Sequence, residues 1–266
     1  MEISKHPPGT FCWIELGTTD QNAAKKFYSE LFGWGINDVP MGPDSFYTMF
    51  QLNGKDVGAA YQLMPDQVSQ GIPSNWLSYI AVESADETAK AITAAGGKIM
   101  KEPFDVFDIG RMAVVEDPTG GVFAIWQAGT HIGVRVKNEP STFCWNELAT
   151  RDVEAAKKFY ATVFGWAPQT KGEGPMQYTE ISVNDSVGKT QAMGGMMAMT
   201  EEWAGIPPHW MVYFDVADCD ASAATAQSLG GKVCVPPTDI PNVGRFSVIQ
   251  DPQDVFFSII KLNQKS

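Results

Sequence analysis

Residues Thr10 to Trp34, TFCWIELGTTDQNAAKKFYSELFGW, return 132 positions later as TFCWNELATRDVEAAKKFYATVFGW, from Thr142 to Trp166, with 17 of the 25 aligned residues identical. A strand-like opening, an Asp at a helix start and a Phe-Tyr helix face recur together, so one unit is used twice. Every other segment is constrained by that copy. GGKVCVPPTDIPNVGRFSVIQDPQDVFFSII, near the end of the chain, matches GGKIMKEPFDVFDIGRMAVVEDPTGGVFAIW in the first half, so the duplication runs through the whole length.

Local signals divide each half again. Phe11 to Leu16 alternates as a strand with one buried face, and Asp20 stands at the N-cap of an amphipathic helix with Ala24, Phe27, Tyr28 and Leu31 inside. Gly33 ends that helix. Phe46–Leu52 and Asp56–Met64 read as strands joined by the hairpin pair Asn53-Gly54, with a short strand near Gly35–Asp38. After a loop from Pro65 to Ser74 the plan restarts. Trp76–Val82 is a strand, Ser84 and Glu87 form a capping box for a helix to Ala95, and three further strands follow at Lys98–Phe104, Arg111–Glu116 and Val122–Gln127. The prediction is an α+β chain of four βαβββ modules in two domains, 9–128 and 141–262, with a linker at 129–140.

Composition removes several classes of function. At 266 residues and 44% hydrophobic content the chain can bury large cores. A net charge of −12 with no basic run longer than a Lys pair argues against nucleic acid and against an anionic membrane surface. No apolar run approaches 18 residues and the leader MEISKHPPGT is polar, so a cytoplasmic location is expected. Cys12, Cys144, Cys219 and Cys234 lack CxxC spacing and are expected to be small buried side chains. No phosphate loop, GxSxG elbow or HExxH is present.

The four-module plan, the FYxxxFGW helix ends, the GGK strand starts and the paired Gly110-Arg111/Gly244-Arg245 and Asp117-Pro118/Asp251-Pro252 steps resemble the vicinal oxygen chelate superfamily, the fold of glyoxalases, bleomycin-resistance proteins and extradiol dioxygenases. The resemblance covers nearly all of Thr10 to Lys261 and implies that two modules form one cupped sheet. It is most similar to bacterial tandem glyoxalase-like proteins. In metal-bound members the ligands are His, Gln or Glu on the first and last strands of the modules. The matching positions here are Trp13, Tyr79, Ala124 and the stretch Gly58–Ala60 in the first half, and Trp145, Tyr213, Ser258 and Gly194-Gly195 in the second. No cofactor is therefore predicted, with a divalent metal as the alternative. The resemblance also implies a fused pseudo-dimer that is monomeric, with a homodimer open.

Glu15 and Glu147 lie two residues beyond the strand tryptophans and so share their strand face. A carboxylate held beside a buried indole gains proton affinity and suits a base, while the structural reading is a hydrogen bond or an ion pair to Arg111 or Arg245. Tyr79, Tyr213 and His209 are the candidate proton donors or orienting groups; His6 in the leader and His131 in the linker are expected to be solvated. Trp13, Trp126, Trp145, Met197, Trp203 and Ser258 are the candidate ligand-binding residues, Trp126 and Trp203 because the other half lacks them. Met193, Met196, Met197 and Met199 crowd one strand, as a soft cavity wall or as core. The leading expectation is a protein that binds a small hydrophobic or aromatic molecule without the usual metal. Two alternatives stay open: a metal-dependent lyase, isomerase or dioxygenase with a site displaced onto Glu15, Glu147 and His209, and non-enzymatic sequestration.

Overall fold

The computed structural model describes residues 2–43, 45–174, 177–184 and 190–263. In the first half the elements are β1 (Phe11–Thr18), α1 (Gln21–Phe32), β2 (Gly35–Gly42), β3 (Ser45–Leu52), β4 (Lys55–Gln62), α2 (Pro65–Ser69), β5 (Asn75–Ala81), α3 (Ala85–Ala94), β6 (Lys98–Val106), β7 (Gly110–Glu116) and β8 (Val122–Ala128). The second half repeats them as β9 (Phe143–Thr150), α4 (Val153–Phe164), β10 (Ala167–Lys171), β11 (Tyr178–Asn184), β12 (Thr190–Ala198), β13 (His209–Asp215), α5 (Cys219–Ser228), β14 (Lys232–Ile240), β15 (Gly244–Gln250) and β16 (Phe256–Leu262). The expected loop after β4 holds a short helix, α2, because Pro65 at its first turn presets the backbone and Gln67 caps it.

Local chemistry accounts for the ends of the elements. Asp20 accepts from Ala23 N–H at 3.0 Å, and Asp152 repeats the cap from Ala155 at 2.9 Å. Gly33 and Gly165 close α1 and α4 in the left-handed conformation, at φ 71° and 68°, where a side chain would be strained. Asn53 and Gly54 both take positive φ, as a type I′ hairpin requires.

Each half forms one eight-stranded sheet, ordered β2-β3-β4-β1-β5-β8-β7-β6 and β10-β11-β12-β9-β13-β16-β15-β14. The two modules of a half meet at β1 and β5, which run antiparallel, while β1 is parallel to β4 and β5 to β8. Alternation on β1 decides what each face does. Ile14 and Leu16 are fully buried on the helix-bearing face, so Trp13 and Glu15 point into the opposite, concave face.

The helix-bearing faces of the two sheets pack against each other, with α1 on α5 and α3 on α4. Phe11 meets the Trp166 and Trp210 rings at 5.6 and 5.2 Å, and Phe32 meets Phe214 at 4.8 Å. Burying such rings stabilises by roughly 1.5–3 kcal/mol each. Trp34 and Trp166 send their indole N–H groups across to the backbone oxygens of Ser141 and Gly9, both at 2.7 Å. The two cups therefore open away from one another.

The segment between the halves is laid onto the first domain. Gly129 and His131 N–H bond to Ile109 O, Val134 N–H to Cys12 O at 2.8 Å and Arg135 N–H to Asp56 O at 2.8 Å. It runs as a strap alongside β1. The expectation that His6 and His131 are solvated is overturned. His6 is 7% exposed and bonds through Nε2 to Val134 O at 2.9 Å, and His131 is half-buried between two indoles. Cys12 and Cys219 are buried as expected, whereas Cys144 is half-buried and Cys234, on the outermost strand β14, is exposed. Among the described residues no helix is long and apolar enough to cross a membrane.

Candidate functional site

A carboxylate occupies the floor of each cup. In the first, Tyr47 donates to Glu15 Oε2 at 2.6 Å and Tyr79 to Oε1 at 3.0 Å, so β3 and β5 each deliver a phenol to β1. Trp13 Nε1 donates to the Tyr47 hydroxyl at 3.1 Å and holds that ring in place. In the second, Tyr213 donates to Glu147 Oε1 at 2.8 Å, and Trp145 Nε1 donates to the Tyr178 hydroxyl at 2.8 Å. Register explains the match: Trp13 lies opposite Tyr79 and Trp145 opposite Tyr213.

Electrostatics follow from burial. Each Glu is half-buried, and the loss of water pushes its carboxyl pKa up, while the phenol hydrogen bonds pull it back down. The same burial, together with the neighbouring Glu charge, drives Tyr47, Tyr79, Tyr178 and Tyr213 well above the usual phenol value. The phenols thus stay protonated and the carboxylate is the group able to take a proton. Among the described residues neither Glu has an ion-pair partner. Arg111 is spent on Asp86 and Asp105, and Arg245 on Asp220 and Asp239, all at 2.7–3.0 Å on the surface. The expected pairing of Glu15 or Glu147 with these arginines is therefore corrected in favour of tyrosine.

Other candidates are placed unevenly. Trp126 is buried in the first cup, its indole lying over Gly110, where a Cβ would collide with it, and its Nε1 donating to His131 O at 2.9 Å. Ser258 lies opposite Tyr213 in the ladder, where the first cup has Ala124 opposite Tyr79. Met197 is half-buried opposite Tyr178, whereas Met193, Met196 and Met199 belong to the packed interior. His209 begins β13 and Trp203 lies in a 3-10 turn; the two rings stack at 6.0 Å, with His209 Nδ1 2.9 Å from Pro207 O. That pair sits at the start of β13, four residues before Tyr213.

Tyr47, Tyr178 and His131 are part of the cups, although the sequence reasoning named neither tyrosine and expected His131 to be solvated. A usable signal existed for the tyrosines: Tyr47-Thr48 recurs as Tyr178-Thr179. Nothing in the sequence marked His131. A cleft of about 260 Å³ lies at the start of α4, between Arg151, Asp152, Thr179 and Met196.

Metal chemistry asks for more than these donors supply. A divalent transition metal takes about three or four protein ligands, drawn from His, Cys and carboxylates. Among the described residues no group of three or more His, Cys, Asp or Glu could hold one. Glu15, Glu147 and His209 are not brought together either, because Glu15 lies in one sheet and the others in the sheet behind it. Among the described residues each cup floor offers one carboxylate, Glu15 or Glu147, flanked by tyrosines.

The model of the Glyoxalase/Bleomycin resistance protein/Dioxygenase superfamily matches residues 10–125 and again 130–259. The chain belongs to that superfamily. Similar members are CFP32 of Mycobacterium tuberculosis, whose name assigns it provisionally to the glyoxylases, and the anthracycline biosynthesis protein DnrV of Streptomyces peucetius. The first is 43% identical over 260 residues, covering 97% of each chain. The second is 34% identical over 273 residues, covering 98% of this chain and 96% of the relative. Among solved structures, the superfamily fold is shared with the Mn(II)-bound glyoxalase of Novosphingobium aromaticivorans, at TM-score 0.64 and 16% identity over 96% of this chain and 82% of that one. The 2,3-dioxygenase LapB of Pseudomonas sp. KL28 has TM-score 0.65 and 12% identity over 95% and 91%. At such identities the likeness is one of fold.

Proposed function

We propose that this superfamily member binds a small hydrophobic or aromatic molecule in a cupped-sheet cavity and handles it through the floor carboxylate without a divalent metal. The carrying observation is the Glu–Tyr cluster at the floor: a carboxyl with raised proton affinity, phenols that donate to it, and an indole where the resemblance implies a metal ligand. A flat apolar ligand gains contact with the indole and phenol rings, while any O–H or acidic C–H it carries meets a carboxylate able to accept the proton. The relative named for anthracycline biosynthesis supports an aromatic ligand. The protein is cytoplasmic and monomeric on this reading, its two halves supplying within one chain the pairing that single domains need.

Intrinsic tryptophan fluorescence, titrated with a panel of small aromatic compounds, tests the reading. Saturable quenching is expected, from protein that metal analysis finds free of stoichiometric Ni, Zn, Fe or Mn and light scattering finds monomeric. A full panel without saturable binding sinks the binding claim, and one bound transition metal per chain sinks the metal-free claim. Turnover of a bound compound separates catalysis from sequestration.

A further inference from the structure

We infer that the two cups have diverged into a closed scaffold and an open working site, and that the second cup takes a flat aromatic ring carrying a hydroxyl group, laid against Trp145. The inference rests on the binding reading above and names the cup and the ligand class.

The first cup is occupied by its own chain. Trp13 is 4% exposed and Trp126 5%. His131 stands edge-on to the Trp13 ring at 4.7 Å and to the Trp126 ring at 6.0 Å. The strap holds that imidazole in place through the bond of His131 N–H to Ile109 O and the bond of Trp126 Nε1 to His131 O. Both oxygens of Glu15 already receive a phenol. A ligand would have to displace the strap and break two internal hydrogen bonds before reaching the carboxylate.

The second cup keeps the same polar floor. Trp145 is half-buried where Trp13 is enclosed, and among the described residues no ring packs on it. Ile260 stands where the first half has Trp126, removing an indole from that side. Tyr213 donates to Glu147 Oε1 at 2.8 Å, and Tyr178, tied to Trp145, sends a looser hydrogen bond toward the same carboxylate. Ser258 adds a hydroxyl beside the Tyr213 phenol; its Oγ is buried and makes no geometrically sound hydrogen bond. An accessible indole face selects a planar ring. The carboxylate asks for a donor, which a ring-borne hydroxyl supplies and an ether does not.

The full chain is titrated calorimetrically with 2-naphthol and with 2-methoxynaphthalene, and crystals are soaked in 2-naphthol. One site per chain is expected, with the ring against Trp145 and the ether binding at least tenfold more weakly. Trp145→Ala and the isosteric Glu147→Gln should each weaken 2-naphthol at least tenfold, with thermal melts confirming that both variants fold; if Trp145→Ala does not fold, Glu147→Gln and the soak decide. Two equivalent sites, density in the first cup, or an ether that binds as well as the naphthol overturns this inference and leaves the general binding reading standing. No saturable binding of either probe overturns the inference, and the same result across a wider aromatic panel overturns the reading beneath it.

Discussion

The Tyr28 hydroxyl donates to Asp251 Oδ2 across the interface between the halves at 2.9 Å, and its repeat, Tyr160, returns the bond to Asp117 Oδ2 at 2.8 Å. Each tyrosine also accepts the indole N–H of a tryptophan in its own half, Trp76 or Trp210, at 3.0 Å. One helix from each half thereby plugs a buried phenol into the Asp-Pro turn of the other.

Removing either hydroxyl strands two buried partners at once. Tyr28→Phe and Tyr160→Phe are each expected to cost about 2–3 kcal/mol, because a buried hydrogen bond to a carboxylate is worth about 1.5–3 kcal/mol and the indole N–H also loses its acceptor. Denaturant unfolding monitored by circular dichroism measures this. A loss below about 0.5 kcal/mol, the range of ordinary surface substitutions, would show that the crossed bonds do not hold the halves together.

Acidity at the cup floors predicts a pH slope of known sign. The Glu15 carboxyl is raised above its ordinary 4.5 in the folded state, so the folded chain holds that proton more tightly than the unfolded one. Its contribution is complete below pH 4.5 and is lost as pH rises through the folded value. The double variant Glu15→Gln/Glu147→Gln should lose this decline, so that its stability relative to the parent improves as pH rises above 4.5. Melting temperatures taken from pH 4.5 to 8 check this, and parallel curves for variant and parent would contradict it.

His6 acts in the opposite direction. Burial lowers it from 6.5 to about 4, so the unfolded chain takes up a proton before the folded chain does. The stability this neutral imidazole contributes is present above pH 6.5 and is lost between 6.5 and about 4, a range worth roughly 2–4 kcal/mol at about 1.4 kcal/mol per pH unit. His6→Gln, which keeps a donor for Val134 O, should be less acid-sensitive in that window. Equal acid sensitivity of parent and variant would place the imidazole in water.

The repeated unit, the Asp20 and Asp152 caps, the Gly33 and Gly165 stops and the Asn53-Gly54 hairpin were all legible in the chain, as was the shared face of Trp13 and Glu15. Each depends on sterics and hydrogen bonds within a few residues, and the duplication stated every local pattern twice. Partnerships were another matter. Glu15 chose Tyr47 and Tyr79, 32 and 64 residues away, over Arg111, and the linker histidine came to rest on Trp13. Those outcomes depend on strand register and on the path of the strap, which only the closed sheet sets. The crossed Tyr28–Asp251 bond spans 223 residues and exists only because two similar halves meet back to back. By itself the sequence determined the modules, their duplication and which residues share a strand face; the tertiary structure decided which of those residues touch, since register and domain packing are long-range balances that no local pattern encodes.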